Sequence, residues 1–244
     1  MKRGLFTITE NKQLVPGIMR MRLTGDTSAF TAPGQFLNIK LDGLYLRRPI
    51  SLCDLDGDTM TIIYKVVGHG TEAMAKMQPG TELDILTGLG NGYDLSEGKK
   101  PILLGGGVGV PPMYYLAKKL IEKGCAVTAV LGFNKKDEIF YEDEFKALGA
   151  KTIVTTADGS HGTKGFVTDA MADVDYDHFY ACGPEPMLRA VFKASQTSGQ
   201  MSFEKRMGCG FGACMGCSCK TITGYKRICK EGPVMRKEEI LWED

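Results

Sequence analysis

Residues 101–120 read Pro101-Ile102-Leu103-Leu104-Gly105-Gly106-Gly107-Val108-Gly109-Val110-Pro111-Pro112-Met113-Tyr114-Tyr115-Leu116-Ala117-Lys118-Lys119-Leu120, and this stretch decides the fold class. Ile102 to Leu104 is a short apolar run of buried-strand type. A glycine-rich turn follows. Then Met113, Leu116, Ala117, Leu120 and Ile121 recur at i, i+3, i+4, i+7 and i+8, with Lys118, Lys119 and Lys123 off that stripe. Gly124 ends the helix. Small residues in such a turn let the backbone approach a pyrophosphate, and the helix N-terminus behind it presents N–H groups and a positive dipole end. Gly105, Gly106, Gly107 and Gly109 are therefore candidate nucleotide contacts. Position 110 is Val, so this is a variant of the G-x-G-x-x-G fingerprint and not the strict form. A tight strand-to-helix turn with no ligand is the plainer reading of the same residues.

Downstream, strand and helix alternate: strand 127–131, helix 142–148, strand 152–155, strand 178–181, helix 186–194. That order predicts an α/β domain with a parallel sheet, placed at residues 98–202. A second turn, Ala181-Cys182-Gly183-Pro184-Glu185, joins a strand to a helix. Ligands bind at the carboxyl ends of strands in such sheets, so Cys182, Gly183 and Pro184 are expected to line one nicotinamide pocket with the first turn. Lys135 and Lys136 follow another strand and stand either as a solvated basic pair or as partners of a 2′-phosphate.

Upstream, short β-like segments at 19–23, 35–40, 49–53, 60–67 and 81–86 are separated by turn signals such as Ala32-Pro33-Gly34, Asp56-Gly57-Asp58 and Gln78-Pro79-Gly80. They predict a small antiparallel β-barrel over residues 1–97. Within it, Arg47-Arg48-Pro49-Ile50-Ser51 sets a cation and a hydroxyl either side of a proline. An arginine forks onto a pyrophosphate, and the serine is placed for a flavin edge. Tyr64-Lys65 and Gly68-His69-Gly70-Thr71 continue the polar theme, with His69 read as a solvated loop residue.

The C-terminal zone, 203–244, is short and rich in Gly and Cys. Its cysteines are spaced Cys209-x4-Cys214-x2-Cys217-x11-Cys229, the plant-type [2Fe-2S] pattern. Gly208, Gly210, Gly212 and Gly216 leave backbone N–H groups free to point at sulfur. A four-cysteine zinc site is the alternative; Cys219 lies close enough in sequence to compete as a ligand but is read as a packed thiol, because the distant Cys229 is part of the spacing pattern. Cys53 and Cys125 are isolated and read as packed thiols. The zone is too small to bury much core alone, so a metal centre is expected to hold it together.

The chain has 244 residues with 43% hydrophobic and 24% charged content and a net charge of +1. Nothing in that balance points to nucleic acid or an anionic membrane. No apolar run reaches the roughly 20 residues of a membrane span, and no signal-peptide pattern opens the chain, so a cytoplasmic location is expected. The 8 cysteines, in a cytosolic setting, read as metal or redox chemistry and not as disulfides. With 3 histidines and no Ser-His-Asp arrangement, no catalytic acid–base residue is expected.

Arg48-Pro49-Ile50-Ser51, Gly70-Thr71, Gly105-Gly106-Gly107-Val108-Gly109 and Cys182-Gly183-Pro184, in this order, resemble the ferredoxin–NADP reductase superfamily. The stretch 207–214, Met-Gly-Cys-Gly-Phe-Gly-Ala-Cys, with 228–234, Ile-Cys-Lys-Glu-Gly-Pro-Val, narrows the resemblance to electron-transfer subunits of class 1B dihydroorotate dehydrogenases, over essentially the whole chain. The resemblance implies FAD on Arg48, Pro49, Ile50 and Ser51, with Arg48 at the pyrophosphate and Ser51 near flavin N5. It implies that Ile63, Tyr64, Lys65, Gly70 and Thr71 complete that site. NAD would lie on Gly105–Gly109 and Cys182-Gly183-Pro184, and the cluster on Cys209, Cys214, Cys217 and Cys229. The implied partner is an FMN-containing catalytic subunit that oxidises dihydroorotate, in a heterotetramer of two subunits of each kind. A flavin exchanges both hydride and single electrons, so FAD stands between NAD+ and the cluster. Reductase subunits of anaerobic sulfite reductases and hydrogenases resemble the chain in the same way. From another class, a nucleotide sensor with a structural zinc tail remains the contrasting reading.

Overall fold

The computed structural model describes residues 1–242; the last two residues of the 203–244 zone lie outside them. The N-terminal half is a closed six-stranded antiparallel barrel in the order β1-β2-β5-β4-β3-β6. Its strands are β1 (Lys2–Val15), β2 (Ile18–Thr24), β3 (Phe36–Ile39), β4 (Arg48–Asp56), β5 (Thr59–Lys65) and β6 (Glu82–Leu89), with the short helix α1 (His69–Ala75) between β5 and β6. β6 shows why these residues make strands, since its side chains alternate between buried and partly exposed along its whole length. The long first strand was not foreseen. It is polar, only Phe6 and Ile8 within it are fully buried, and two register irregularities against β2 break its period-2 signal.

The second half is built on a seven-stranded sheet. Its strands are β7 (Pro101–Gly106), β8 (Thr128–Phe133), β9 (Lys151–Thr156), β10 (Thr163–Lys164), β11 (His178–Cys182), β12 (Gly199–Ser202) and, from the C-terminal zone, β15 (Val234–Arg236). The hairpin β13 (Ser218–Thr221) and β14 (Gly224–Arg227) stands beside it. The helices are α2 (Val110–Glu122), α3 (Glu142–Ala147), α4 (Val167–Met171) and α5 (Glu185–Ala194). The sheet order is β10-β9-β8-β7-β11-β12-β15, parallel except for β15, which runs antiparallel to β12. The C-terminal zone thus extends the backbone ladder of the nucleotide-type sheet. Residues 127–131 and 178–181, read as strands, are strands here with ends moved by one or two residues.

Barrel and sheet share a core. Ile18, Cys53 and Ile63 of the barrel pack in one cluster with Val110, Met113 and Leu116 of α2. Lys118 closes the rim, donating to Asp54 at 2.9 Å and to the Leu55 carbonyl at 3.3 Å. The linker after β6 is tied in as well. The Tyr93 hydroxyl donates to the Ala181 carbonyl at 3.1 Å, and the Tyr180 hydroxyl to that of Asp94 at 2.9 Å. Asn91 donates its side-chain amide to the Val234 carbonyl at 2.7 Å.

His178 lies inside this junction, 2% exposed. Gln200 accepts from the Asp94 N–H, which fixes its amide orientation, so its Nε2 faces His178 Nε2 at 3.4 Å as the donor. The imidazole is therefore neutral. Burial lowers its pKa; nearby Glu97, Asp177 and Glu238 pull the other way, and Arg236 adds to the lowering. The unfolded chain takes up that proton near about pH 6.5. Stability is accordingly whole above that pH and declines as pH falls through it, because the unfolded state then binds the extra proton. We expect the urea midpoint to drop between about pH 7.5 and about pH 5.5, and to drop less in His178→Leu; equal drops in both proteins would refute this assignment.

Candidate functional site

The barrel opens at one seam. β4 and β5 pair from Leu52↔Ile62 to Asp56↔Thr59, but beyond Leu52 the ladder stops. Arg48–Ser51 keep hydrogen-bonding only to β3, and Ile63–Lys65 only to β2. Both strands therefore present backbone groups left out of the ladder to the gap between them, and such groups take another partner or solvent. The two segments flanking the gap are the two strand segments read as flavin contacts. Arg48, Pro49, Ile50 and Ser51 are all partly exposed. The Arg48 guanidinium donates to the Leu46 carbonyl and lies against Gly70, where a Cβ would strike it. The Arg-Pro-Ile-Ser and Gly-Thr motifs thus meet in space. Arg47 points elsewhere, to Asp84 Oδ1 and the Asp84 carbonyl, both at 2.9 Å, and serves the barrel wall.

Other side chains are less available than the sequence implied. Tyr64 faces the barrel core, with its hydroxyl on Asn11 at 3.2 Å, which leaves its backbone for any ligand. Ile63 belongs to the core shared with α2, and Lys65 is exposed. The Thr71 hydroxyl closes its own turn, accepting from the Val67 and Gly68 N–H groups at 2.9 and 3.2 Å.

The two glycine turns meet at the switch point of the sheet. The chain winds one way from β7 to β10, then returns to place β11 on the other side of β7. The carboxyl ends of β7 and β11 stand together, with Gly105 opposite Cys182, which is where open α/β sheets take their ligands. Gly105, Gly106, Gly107 and Gly109 form the end of β7 and a single 3-10 turn into α2. The approach is so close that a Cβ on Gly109 would collide with the Cys182 carbonyl and with the Gly183 nitrogen. Pro184 caps α5, and Cys182 is partly exposed, its thiol pushed up to about 12 by burial and so neutral. The turn also packs on β5, so the sheet's ligand edge adjoins the barrel gap. Lys135 and Lys136 are exposed, and the Lys136 N–H donates to Ser160 at 2.7 Å.

The four cysteines gather as two pairs. Cys209 Sγ accepts from the Ala213 and Cys214 N–H groups at 3.2 and 3.4 Å, and Cys214 Sγ from the Cys209 N–H at 3.5 Å. Cys217 Sγ accepts from the Cys229 N–H at 3.4 Å. Burial pushes the Cys209 thiol upward, but N–H donors from Phe211, Cys214 and Ala213 overcome it and bring the pKa to about 6. Cys229 is pushed up by burial and by its neighbours Cys217 and Cys209. Two pairs suit two irons sharing sulfide, each iron taking two thiolates. Cys219 lies on β13 with its sulfur 4.0 Å from Met235 Sδ.

Comparison with known proteins agrees with this geometry. Residues 204–241 match the iron–sulfur cluster binding domain of dihydroorotate dehydrogenase B, and residues 103–193 match the oxidoreductase NAD-binding domain. The dihydroorotate dehydrogenase B (NAD(+)) electron transfer subunit of Geobacillus sp. (strain WCH70) is 43% identical over 256 residues, covering 99% of each chain. That of Fusobacterium nucleatum is 45% identical over 251 residues, covering 96% of each. The chain belongs to the family of dihydroorotate dehydrogenase B electron-transfer subunits. A solved NADH-dependent reduced ferredoxin–NADP oxidoreductase superposes with a TM-score of 0.90 at 30% identity, covering 98% of this chain and 90% of that one. A ferredoxin–NADP+ reductase from Neisseria gonorrhoeae, solved with FAD and NADP, shares the fold at a TM-score of 0.68 and 18% identity.

Within this electron-transfer subunit, two residues near the site carried no signal in the sequence. Tyr93 supports the carbonyl of Ala181 from beneath, next to Cys182, and Asn38 reaches the cluster loop from the barrel. Neither sits in a motif; only the fold brings them there. For the paired glycine turns, Gly109→Ala is expected to force the turns apart and raise KM for NADH by about tenfold or more, since overpacking costs about 1–3 kcal/mol. Flavin and iron content should stay at wild-type levels. Steady-state assays with an artificial acceptor decide this, and an unchanged KM would remove Gly109 from the nucleotide site.

Proposed function

We propose that the chain carries electrons from the FMN of a dihydroorotate-oxidising partner subunit through a [2Fe-2S] cluster and FAD to NAD+, as a step of pyrimidine biosynthesis. The carrying observation is spatial order. The glycine turn at Gly107–Gly109 packs on β5, the β4/β5 gap follows, and the cluster cysteines lie beyond β3. Pyridine nucleotide, flavin and cluster sites thus stand in a row, in the sequence that hydride and single-electron chemistry require. When bound, the flavin supplies the exchange between a two-electron hydride and single electrons.

The residues of this chain bind and orient. Arg48 holds the pyrophosphate of FAD beside Gly70 and Thr71, Pro49, Ile50 and Ser51 line the ring with Ser51 at N5, and Ile63, Tyr64 and Lys65 contribute backbone groups. Gly105, Gly106, Gly107 and Gly109 let the nucleotide pyrophosphate lie against backbone, while Cys182, Gly183 and Pro184 shape the nicotinamide pocket. The Cys182 thiol stays neutral and places no charge beside the nicotinamide. Cys209, Cys214, Cys217 and Cys229 ligate the cluster. On the FAD side, residues 1–97 form one unit, 98–202 the nucleotide unit and 203–244 the cluster unit.

The partner meets the cluster at the surface. Cys214 is exposed, and Phe211 and Met215 beside it are 44% and 54% exposed. Apolar side chains around a redox centre suit a protein partner. The assembly is a heterotetramer of two subunits of each kind in the cytoplasm; among the described residues no helix is long and apolar enough to cross a membrane.

Anaerobic titration with NADH should bleach the flavin band and produce the paramagnetic signal of a reduced [2Fe-2S] cluster. In Cys217→Ser the bleaching should persist and the cluster signal vanish. A colourless, zinc-holding protein would overturn the proposal. Phe211→Glu should keep NADH oxidation with an artificial acceptor and lose NAD+ reduction driven by dihydroorotate through the partner; retention of both would move the docking face elsewhere.

A further inference from the structure

Strand β3 faces two ways. Leu37 and Ile39 point into the barrel core, so Phe36 and Asn38 point outward. Phe36 packs with Cys217 and Cys229. Asn38 Nδ2 donates to the Cys209 carbonyl at 3.4 Å, and Gly210 presses so near that a Cβ there would meet that nitrogen. Both limbs of the cluster loop therefore rest on the outer face of β3. Across the ladder, Phe36 pairs with Ser51 and Asn38 with Pro49. Residues directly opposed on antiparallel strands share a face, with Cβ atoms about 4.5–5.5 Å apart. One cross-strand step thus separates residues touching the cluster loop from residues of the flavin-binding strand.

Asn38 is 1% exposed, yet among the described residues its Oδ1 has no hydrogen-bond partner. A buried carboxamide with an unmet acceptor costs more than an apolar side chain of the same shape. Packing alone would favour an apolar side chain at this position, like Phe36 beside it on the outer face of β3. The polar group is explained by the loop it touches.

We infer that Asn38 is a positioning residue that seats the Cys209 limb of the cluster loop on β3, the strand paired with flavin-bearing β4, and so sets the separation of cluster and flavin. This deepens the function proposed above and rests on it. Two electrons enter the flavin with each hydride from NADH. They leave singly, each reducing one cluster iron from ferric to ferrous before passing to an acceptor, while the accompanying proton goes to solvent. The rate of each single-electron step falls steeply with distance, and the hydride step does not involve the cluster loop at all.

The test uses the intact chain with FAD and cluster bound, as wild type, Asn38→Leu and Asn38→Ala, the last in case leucine hinders cluster assembly. Rapid mixing with NADH should bleach the flavin at the wild-type rate in the variants. Cluster reduction should slow by about tenfold, as small misplacements of reacting groups do elsewhere, and the paramagnetic spectrum of the reduced cluster should change shape. Unchanged cluster reduction with an unchanged spectrum would overturn the inference. So would slowing of flavin and cluster reduction in step with no spectral change, which would assign Asn38 to the flavin site. Wild-type protein whose flavin is bleached by NADH while its cluster stays oxidised would instead overturn the proposed function.

Discussion

The backbone hydrogen bonds withheld between Arg48–Ser51 and Ile63–Lys65 are the constraint around which the rest of the molecule is arranged. A closed barrel satisfies its peptide groups strand to strand, and this one does so everywhere along β4 and β5 except at that seam. Two strand ends cannot stay splayed unless something else holds them apart. On one side β3 and the cluster loop brace β4; on the other β2 braces β5, and α2 packs over Ile63 through the shared core. The gap is thus a property of both halves of the chain. Its position between the sheet's ligand edge and the cluster follows from which elements do the bracing.

The same logic explains why the nucleotide turns lie where they do. A doubly wound sheet has one place where neighbouring strands leave in opposite directions, here between β7 and β11. Gly109 allows the two turns to touch, and Tyr93 anchors the β11 end to the linker from the barrel. The linker is consequently no flexible tether. Asp94 exchanges hydrogen bonds with Gln200 and also accepts from Tyr180, so the barrel's orientation on the sheet is set by backbone and side-chain bonds and by apolar packing together.

Much of this was readable from the chain. The strand, glycine turn and helix at 101–122 announced the sheet because apolar period and turn chemistry agreed over that stretch. The cysteine spacing announced two irons, since spacing is itself the chemistry. What escaped were elements whose burial is created by neighbours. β1 is polar along most of its length and becomes a strand because β2 and β6 flank it. β12, Gly-Gln-Met-Ser, is wholly buried but too short and polar to show a period. Site residues divide the same way. Arg48 and Gly70 stand together as their motifs implied, whereas Tyr64, equally implied, turns inward because strand alternation gives its side chain to the barrel core. Asn38 had no motif, and only the ladder between β3 and β4 shows what it faces.

Stability and redox chemistry meet in the C-terminal zone. Residues 203–242 contribute one edge strand, a hairpin and a small apolar cluster made partly of Cys217 and Cys229. Removing the metal centre would leave two buried sulfurs facing each other in place of packed ligands. Backbone N–H groups pull the Cys209 thiol down, while burial pushes that of Cys229 up. A metal centre bound to these cysteines would tie the limbs of this zone together. β15 is also the edge of the nucleotide sheet, and β3, on which the cluster loop rests, pairs with β4, so this zone is tied to both halves of the chain.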